Sequence, residues 1–144
     1  MKYRIRPVVA EDAAHLVSLV AQLGYPATAD FILEKLDQLS ATPGTEILVA
    51  EEEGEVIGLL CFSILPLLHV SGGLGRISAL VVASQFKGRG IGKSLVAEAE
   101  EFAWENGCAR IEITSGEHRA DAHAFYEAVG YTQDSRRFIK HRPG

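Results

Sequence analysis

The sequence predicts one mixed α+β domain built on a mostly antiparallel sheet, with helices on both faces. Three observations carry that expectation. The chain has 144 residues, 47% of them hydrophobic and 23% charged, which fits one ordinary core and is too short for two. Strand-like runs joined by short turns dominate residues 45–82, which suits an antiparallel meander. From Leu80 to Thr114 a strand, a long helix and another strand then follow in succession, the spacing of a right-handed parallel crossover.

The elements read in order as follows. Tyr3, Ile5 and Val8 alternate with Lys2, Arg4 and Arg6, a first strand with one buried face that ends near Pro7. Glu11 and Asp12 place negative charge at the start of a helix striped by Ala13, Leu16, Val17 and Val20 and ended by Gly24 and Pro26. Thr28 can cap a second helix, in which Ile32, Leu36 and Leu39 recur at helical spacing until a turn over residues 40–44. Residues 47–50 and 56–64 are two strands, and the acidic stretch between them closes in Glu53-Gly54, a hairpin signal. After Pro66 a glycine-rich connection, Ser71-Gly72-Gly73, leads to a strand around residues 77–82. Ile91, Leu95, Ala99 and Phe102 mark one face of a long helix that Gly107 terminates, and residues 110–114 form the next strand. Ala122, Phe125, Tyr126 and Val129 stripe a last helix closed by Gly130, and Phe138-Ile139 suggests a final edge strand. No linker, repeat or biased segment divides the chain, so residues 1–144 are expected to be a single domain.

Charge and cysteine usage narrow the function classes. A net charge of -5 disfavours nucleic-acid binding through a broad basic face and suits a cationic or amine-bearing partner. No window approaches a membrane span and the N-terminus has no apolar signal core, so cytoplasmic residence without membrane attachment is the default expectation. Cys61 and Cys108 lie in apolar stretches without metal-ligand spacing; both are expected to be reduced and buried, and no metal site is expected.

The chemistry-bearing segment is Gln85-Phe86-Lys87-Gly88-Arg89-Gly90-Ile91-Gly92, between the strand at residues 80–82 and the long helix. Glycine lets backbone N–H groups approach an anion with no Cβ in the way, and a helix N-terminus adds partial positive charge. Three alternating glycines can also simply build a tight turn; the interleaved Lys87, Arg89 and Lys93 favour a phosphate ligand instead. Two better-known phosphate loops fail. Gly92-Lys93-Ser94 ends like a nucleoside-triphosphate loop, but the glycine required five residues before Gly92 falls on Lys87. A dinucleotide fingerprint starting at Gly88 needs its third glycine at Lys93, in a helix that comes too late in the chain.

What fits is Gln/Arg-x-x-Gly-x-Gly/Ala, present as Gln85-Phe86-Lys87-Gly88-Arg89-Gly90. Residues 80–92 resemble the coenzyme A-binding motif of the GNAT superfamily of N-acetyltransferases, and the order of elements is similar to that fold along essentially the whole chain. Phe125-Tyr126-Glu127-Ala128-Val129-Gly130-Tyr131 resembles the family's late helix, and residues 48–58 resemble its central hairpin. The resemblance implies an enzyme that transfers an acetyl group from acetyl-coenzyme A to a primary amine of a small molecule or protein. It implies a parallel strand pair splayed so that the pantetheine arm enters beside Leu80, Val81 and Val82. It also implies a cofactor cradle from Gln85, Phe86, Lys87, Gly88, Arg89, Gly90, Ile91, Gly92 and Lys93, with Arg119 and Phe125 near the cofactor, and it admits a homodimer. Arg119 departs from the pattern, since relatives often carry asparagine there.

Transfer needs a neutral amine held against a thioester carbonyl and a donor for the departing sulfur. By resemblance that donor is Tyr126, whose phenol is protonated at neutral pH; spacing alone equally allows a core aromatic there. Many relatives place a glutamate on the strand before the loop, but Arg76-Ile77-Ser78-Ala79-Leu80-Val81-Val82 has none. Glu112, Glu117, His118, His69 and a water held by Ser78 remain open as bases. Substrate recognition would fall to the loop at residues 22–26 and the connection at 67–73, with Tyr25 and His69 the side chains to test first, although segments of this kind are more often simple connections. Two other readings stand beside the enzyme: a non-catalytic acyl-coenzyme A binding or sensing module, motivated by the missing glutamate, and a nucleotide binder using Gly92-Lys93-Ser94.

Overall fold

The computed structural model describes residues 2–114, 120–134 and 137–144. Strands β1 (Tyr3–Pro7), β2 (Thr45–Glu52), β3 (Glu55–Pro66), β4 (Gly73–Val82) and β5 (Arg110–Ile113) form one sheet in sequential order. The first four pair antiparallel, and β4 with β5 is parallel. Helices α1 (Ala13–Gln22) and α2 (Ala29–Ser40) come between β1 and β2, α3 (Ile91–Glu105) is the crossover between the parallel strands, and α4 (Ala120–Ala128) follows β5. This is the mixed α+β architecture expected.

Alternation along the strands sorts the core into two layers. Leu16, Leu19, Ile32 and Leu36 from α1 and α2 pack with Ile47, Val49, Leu59 and Val81 on one face of the sheet. Ile91, Leu95, Val96, Ala99 and Ala103 of α3 pack with Ala50, Leu60, Phe62 and Ile77 on the other. Gly58 lets α3 sit close, because a Cβ there would lie 3.2 Å from Leu95 Cδ1 and 3.3 Å from Ile91 Cγ2. The β2–β3 hairpin turns at Glu53 (φ 50°) and Gly54 (φ 81°), two left-handed residues whose twist matches the strands they join.

The N-terminal edge is held by charge. Arg6 donates from both terminal nitrogens to Asp12, at 2.9 and 2.8 Å, and from Nε to Glu51 at 2.6 Å, while Val9 N–H donates to Asp12 at 2.8 Å. Asp12 is buried, and the Arg6 guanidinium holds its carboxyl below the usual carboxylate range.

Two sequence expectations need correction. The glycine-rich connection before β4 is shorter than expected, because Gly73 already pairs with Pro66 and Gly75 with Ile64. Glycine is required in the strand because a Cβ on Gly75 would lie 2.8 Å from the Phe62 ring. The expected edge strand at Phe138-Ile139 is not formed: residues 137–144 carry neither helix nor strand, and Phe138 is 99% exposed.

Candidate functional site

The site begins where β4 and β5 part company. Their pairing runs from Leu74 with Arg110 to Ile77 with Ile113, and the Thr114 N–H donates to Ile77 O at 3.2 Å. Beyond that point β4 continues to Val82 without β5. The pairing with β3 slips at the same place: Phe62 faces Ile77 while Cys61 faces Ala79, which leaves Ser78 as the extra residue of a β-bulge. The slip reverses the alternation, so Ile77 and Leu80, three residues apart, both pack against the α3 layer. At the far end of β4 the Ala83 N–H donates to Ile57 O of β3 at 2.8 Å. Alternation then turns the main-chain groups of Leu80 and Val82 away from β3, toward the opening.

The glycine turn lies at the end of that open edge. Gly88 (φ +85°) and Gly90 (φ +81°) are left-handed, and a Cβ on either would meet nothing within 4 Å. Backbone conformation, rather than crowding, asks for glycine at both. Gly90 caps α3, whose first internal bond runs from Ser94 N–H to Gly90 O at 3.0 Å. The amides of Ile91, Gly92 and Lys93 therefore have no partner inside the helix and point out of its positive end. Gly92 serves a different purpose: its Cβ would lie 3.3 Å from Phe125 Cζ, so its absence seats α4 against the start of α3.

Together these elements bound a cleft of about 400 Å³. Leu80, Val81 and Val82 form one wall, Phe86, Lys87, Gly88, Gly90, Ile91, Gly92 and Lys93 the second, and Ala122, Phe125 and Tyr126 the third. Gln22 and Leu23 close it from the end of α1. Apolar strand and aromatic side chains at one end, with free amides and two lysines at the other, suit a ligand that is part alkyl-amide chain and part diphosphate. The residues present fit coenzyme A on that ground.

Tyr126 is half-buried and stands edge to face with Phe125, ring centroids 5.6 Å apart. The end of its helix is fixed by a left-handed Gly130 (φ +100°), with Gly130 N–H to Glu127 O at 3.1 Å and Tyr131 N–H to Tyr126 O at 2.9 Å. The Tyr131 hydroxyl donates to Glu100 on α3 at 2.8 Å. Burial and the neighbouring carboxylate both push that phenol up, so it stays protonated.

Not every expected residue reaches the cleft. Arg89 turns its guanidinium to Glu52, with hydrogen bonds of 3.1 and 2.6 Å, and lies 5.4 Å from the Phe86 ring centroid. Gln85 sits in the short 3-10 turn Ser84–Phe86 and is not among the lining residues. Arg119 lies outside the described residues, as do Glu117 and His118. Glu112 is held between Arg110 at 3.0 Å and Arg76 at 3.4 Å, and His69 is exposed in the turn after β3. Burial pushes the Cys61 thiol up to about 11 and raises that of Cys108, which leaves neither disposed to act as a nucleophile. Among the described residues no group of His, Cys, Asp or Glu has the arrangement of a metal site, and no helix is long and apolar enough to cross a membrane.

Sequence reasoning placed residues 22–26 among the substrate contacts but missed what Gln22 does: its Nε2 donates to Val82 O at 2.7 Å, bridging α1 to the open edge. It also missed the Ser78 bulge and the Glu52 partner of Arg89. A retrospective signal exists for the bulge, in the apolar Ile77 and Leu80 at a spacing that a regular strand does not allow on one face.

Comparison with known proteins agrees with this fold. The sequence model described as "Acetyltransferase (GNAT) family" matches residues 13–131. The chain is 33% identical over 142 residues to an aminoalkylphosphonate N-acetyltransferase of Salmonella typhimurium, covering 94% of this chain and 89% of that protein. It is 30% identical over 139 residues to an aminoglycoside N(6')-acetyltransferase type 1 of Stenotrophomonas maltophilia, covering 92% and 88%. A crystal structure of a GNAT family acetyltransferase from Staphylococcus aureus superposes with a TM-score of 0.83 at 26% identity, covering 99% of this chain and all of that one.

Proposed function

Because the chain belongs to the acetyltransferase (GNAT) family and is thereby an acyl-coenzyme A-dependent N-acetyltransferase, we propose that it moves an acetyl group from acetyl-coenzyme A to the primary amine of a small molecule or protein. The observation that supports this reading is the junction of two features in one cleft: the edge of β4 from Ser78 to Val82, which pairs with no strand on that side among the described residues, and the glycine-capped start of α3. Curated relatives named for aminoalkylphosphonates and aminoglycosides favour a small amine as the acceptor.

Acetyl-coenzyme A supplies the acyl group already activated as a thioester. The chain's task is then to hold, align and manage protons. Free amides of residues 91–93, with Lys87 and Lys93, hold the diphosphate. Main-chain groups of Leu80 and Val82 align the pantetheine arm as a further strand would pair. Phe86 and Phe125 exclude water around it. Tyr126 donates its phenolic proton to the sulfur as the bond to the acyl carbon breaks, so the thiolate cannot take the acyl group back. The attacking amine loses a proton in the same exchange. That proton passes through solvent and restores the Tyr126 phenol, so one N–H is lost, one S–H is gained and the exchange is neutral overall. A strand glutamate is needed only to strip an ammonium before attack, and an amine that arrives partly neutral does without it, which removes the motive for a binding-only module.

The test is thiol release from acetyl-coenzyme A across a panel of aminoalkylphosphonates, aminoglycosides, polyamines and peptide amines. Turnover with at least one is expected, and Tyr126→Phe should lower kcat about 100-fold while leaving coenzyme A affinity unchanged. An unchanged kcat removes Tyr126 from the acid role, and tight coenzyme A binding with no turnover on any amine restores the binding-only reading.

A further inference from the structure

We propose that Gln22 is a placeholder for the donor: its carboxamide occupies an edge carbonyl that the pantetheine arm uses, and donor binding displaces it. This rests on the reading of the cleft as the coenzyme A site. Gln22 is the last residue of α1, and the helix end beyond it is fixed by Gly24 (φ +101°), with Gly24 N–H to Ala21 O at 2.9 Å and Tyr25 N–H to Val20 O at 3.2 Å. That closure aims the half-buried Gln22 side chain across to the sheet, where Nε2 meets Val82 O at 2.7 Å.

Val82 O belongs to the side of β4 that has lost its strand partner. A bare strand edge is a template for any chain with amide N–H groups, and the pantetheine arm carries two secondary amides. An arm laid along β4 between the glycine turn and the splay passes Val82, and its N–H approaches that carbonyl in the sheet plane. Gln22 presents an amide N–H to the same atom from the end of α1. It is thus chemically a stand-in for the arm, one that satisfies a half-buried carbonyl while no donor is bound.

The sign of the consequence follows from the reference state. A contact made only in the empty protein stabilises that state and opposes donor binding; deleting it tightens the donor. A contact made to the bound donor does the opposite. Gln22→Leu keeps a side chain of similar bulk, one atom shorter, and cannot donate, so coenzyme A should bind about two- to tenfold more tightly, the range of one net hydrogen bond.

The experiment is isothermal titration of coenzyme A into the wild-type chain and Gln22→Leu, with Gln22→Met as a second variant of similar length should the first fail to fold. Tighter binding of coenzyme A in each folded variant is expected. Equal or weaker binding in a folded variant overturns the placeholder while the cleft assignment stands. A wild-type chain that does not bind coenzyme A overturns both.

Discussion

Replacing Gly90 separates charge from conformation in the anion cradle. Gly90 is left-handed (φ +81°), is exposed, caps α3, and has open space where a Cβ would stand. Asn and Asp tolerate that conformation better than other side chains and are good helix caps, so either should cost the fold less than about 1 kcal/mol. The two differ only in charge. A carboxylate and a phosphate charge about 5 Å apart repel by roughly 3 kcal/mol at an effective dielectric of about 20. The site is open to solvent, and halving that for screening leaves about 1.5 kcal/mol, roughly tenfold in affinity. Gly90→Asp should therefore bind coenzyme A about tenfold or more weakly than Gly90→Asn, at matched melting temperatures, and the gap should narrow as salt is raised. Calorimetric titration at low and high salt measures both quantities. Equal affinities for the two variants at low salt would mean that the amides at the start of α3 do not face the diphosphate.

Three other perturbations test the supports around the cleft. Gly92→Val places methyl groups where a Cβ alone already stands 3.3 Å from Phe125 Cζ; the ring must move, at about 1–3 kcal/mol of overpacking, and kcat should fall with it, whereas full activity would detach Phe125 from the working geometry. Tyr131→Phe removes the hydroxyl that donates to Glu100 at 2.8 Å; a loss of about 1 kcal/mol in urea unfolding and a severalfold lower kcat with unchanged coenzyme A affinity are expected, and a change confined to affinity would contradict a role through Tyr126. Asp12→Ala strips Arg6 of its buried partner but leaves it Glu51, so it should cost about 1.5–3 kcal/mol, the range for hydrogen bonds to a charged group. Because Arg6 holds the Asp12 carboxyl below its unfolded value near 4, that stabilisation is complete above about pH 4 and drains away as the pH falls further. Wild type should lose its advantage over Asp12→Ala in that acid range, and a difference that persists undiminished to pH 2 would rule out the ion pair as its source.

Local chemistry was legible in the sequence because local chemistry is what residue types encode. The crossover helix was visible from the spacing of Ile91, Leu95, Ala99 and Phe102, three of which line the buried α3 layer while Phe102 packs at its margin. The glycine turn was visible because left-handed backbone at Gly88 and Gly90 leaves few other residue choices. Cross-strand relations were not. Gly73 read as part of a loop because glycine is poor in strands, and only side chains diagonally across on β3, Ile64 against Gly73 and Phe62 against Gly75, explain why the strand needs bare backbone there. Likewise Arg89 read as a phosphate ligand until Glu52, thirty-seven positions away, claimed its guanidinium.

The same limit governs the opening on which the site depends. A bulge is a mismatch between two strands, so the spacing of Ile77 and Leu80 hints at one without fixing its place; Ser78 becomes the extra residue only against Cys61 and Phe62 on β3. Once it is there, several features follow from one geometric fact. Alternation resets, Leu80 joins Ile77 on the α3 face, β4 turns away from β5, and the main-chain groups of Leu80 and Val82 lose a strand partner. A buried or half-buried backbone group without a partner is costly, so the open edge must recruit something. The carbonyl of Val82 has Gln22. An edge held open by the fold and occupied by a side chain on a helix end is poised for exchange with an amide-bearing chain, and the glycine-capped α3 beside it supplies the anchor for that chain's charged end.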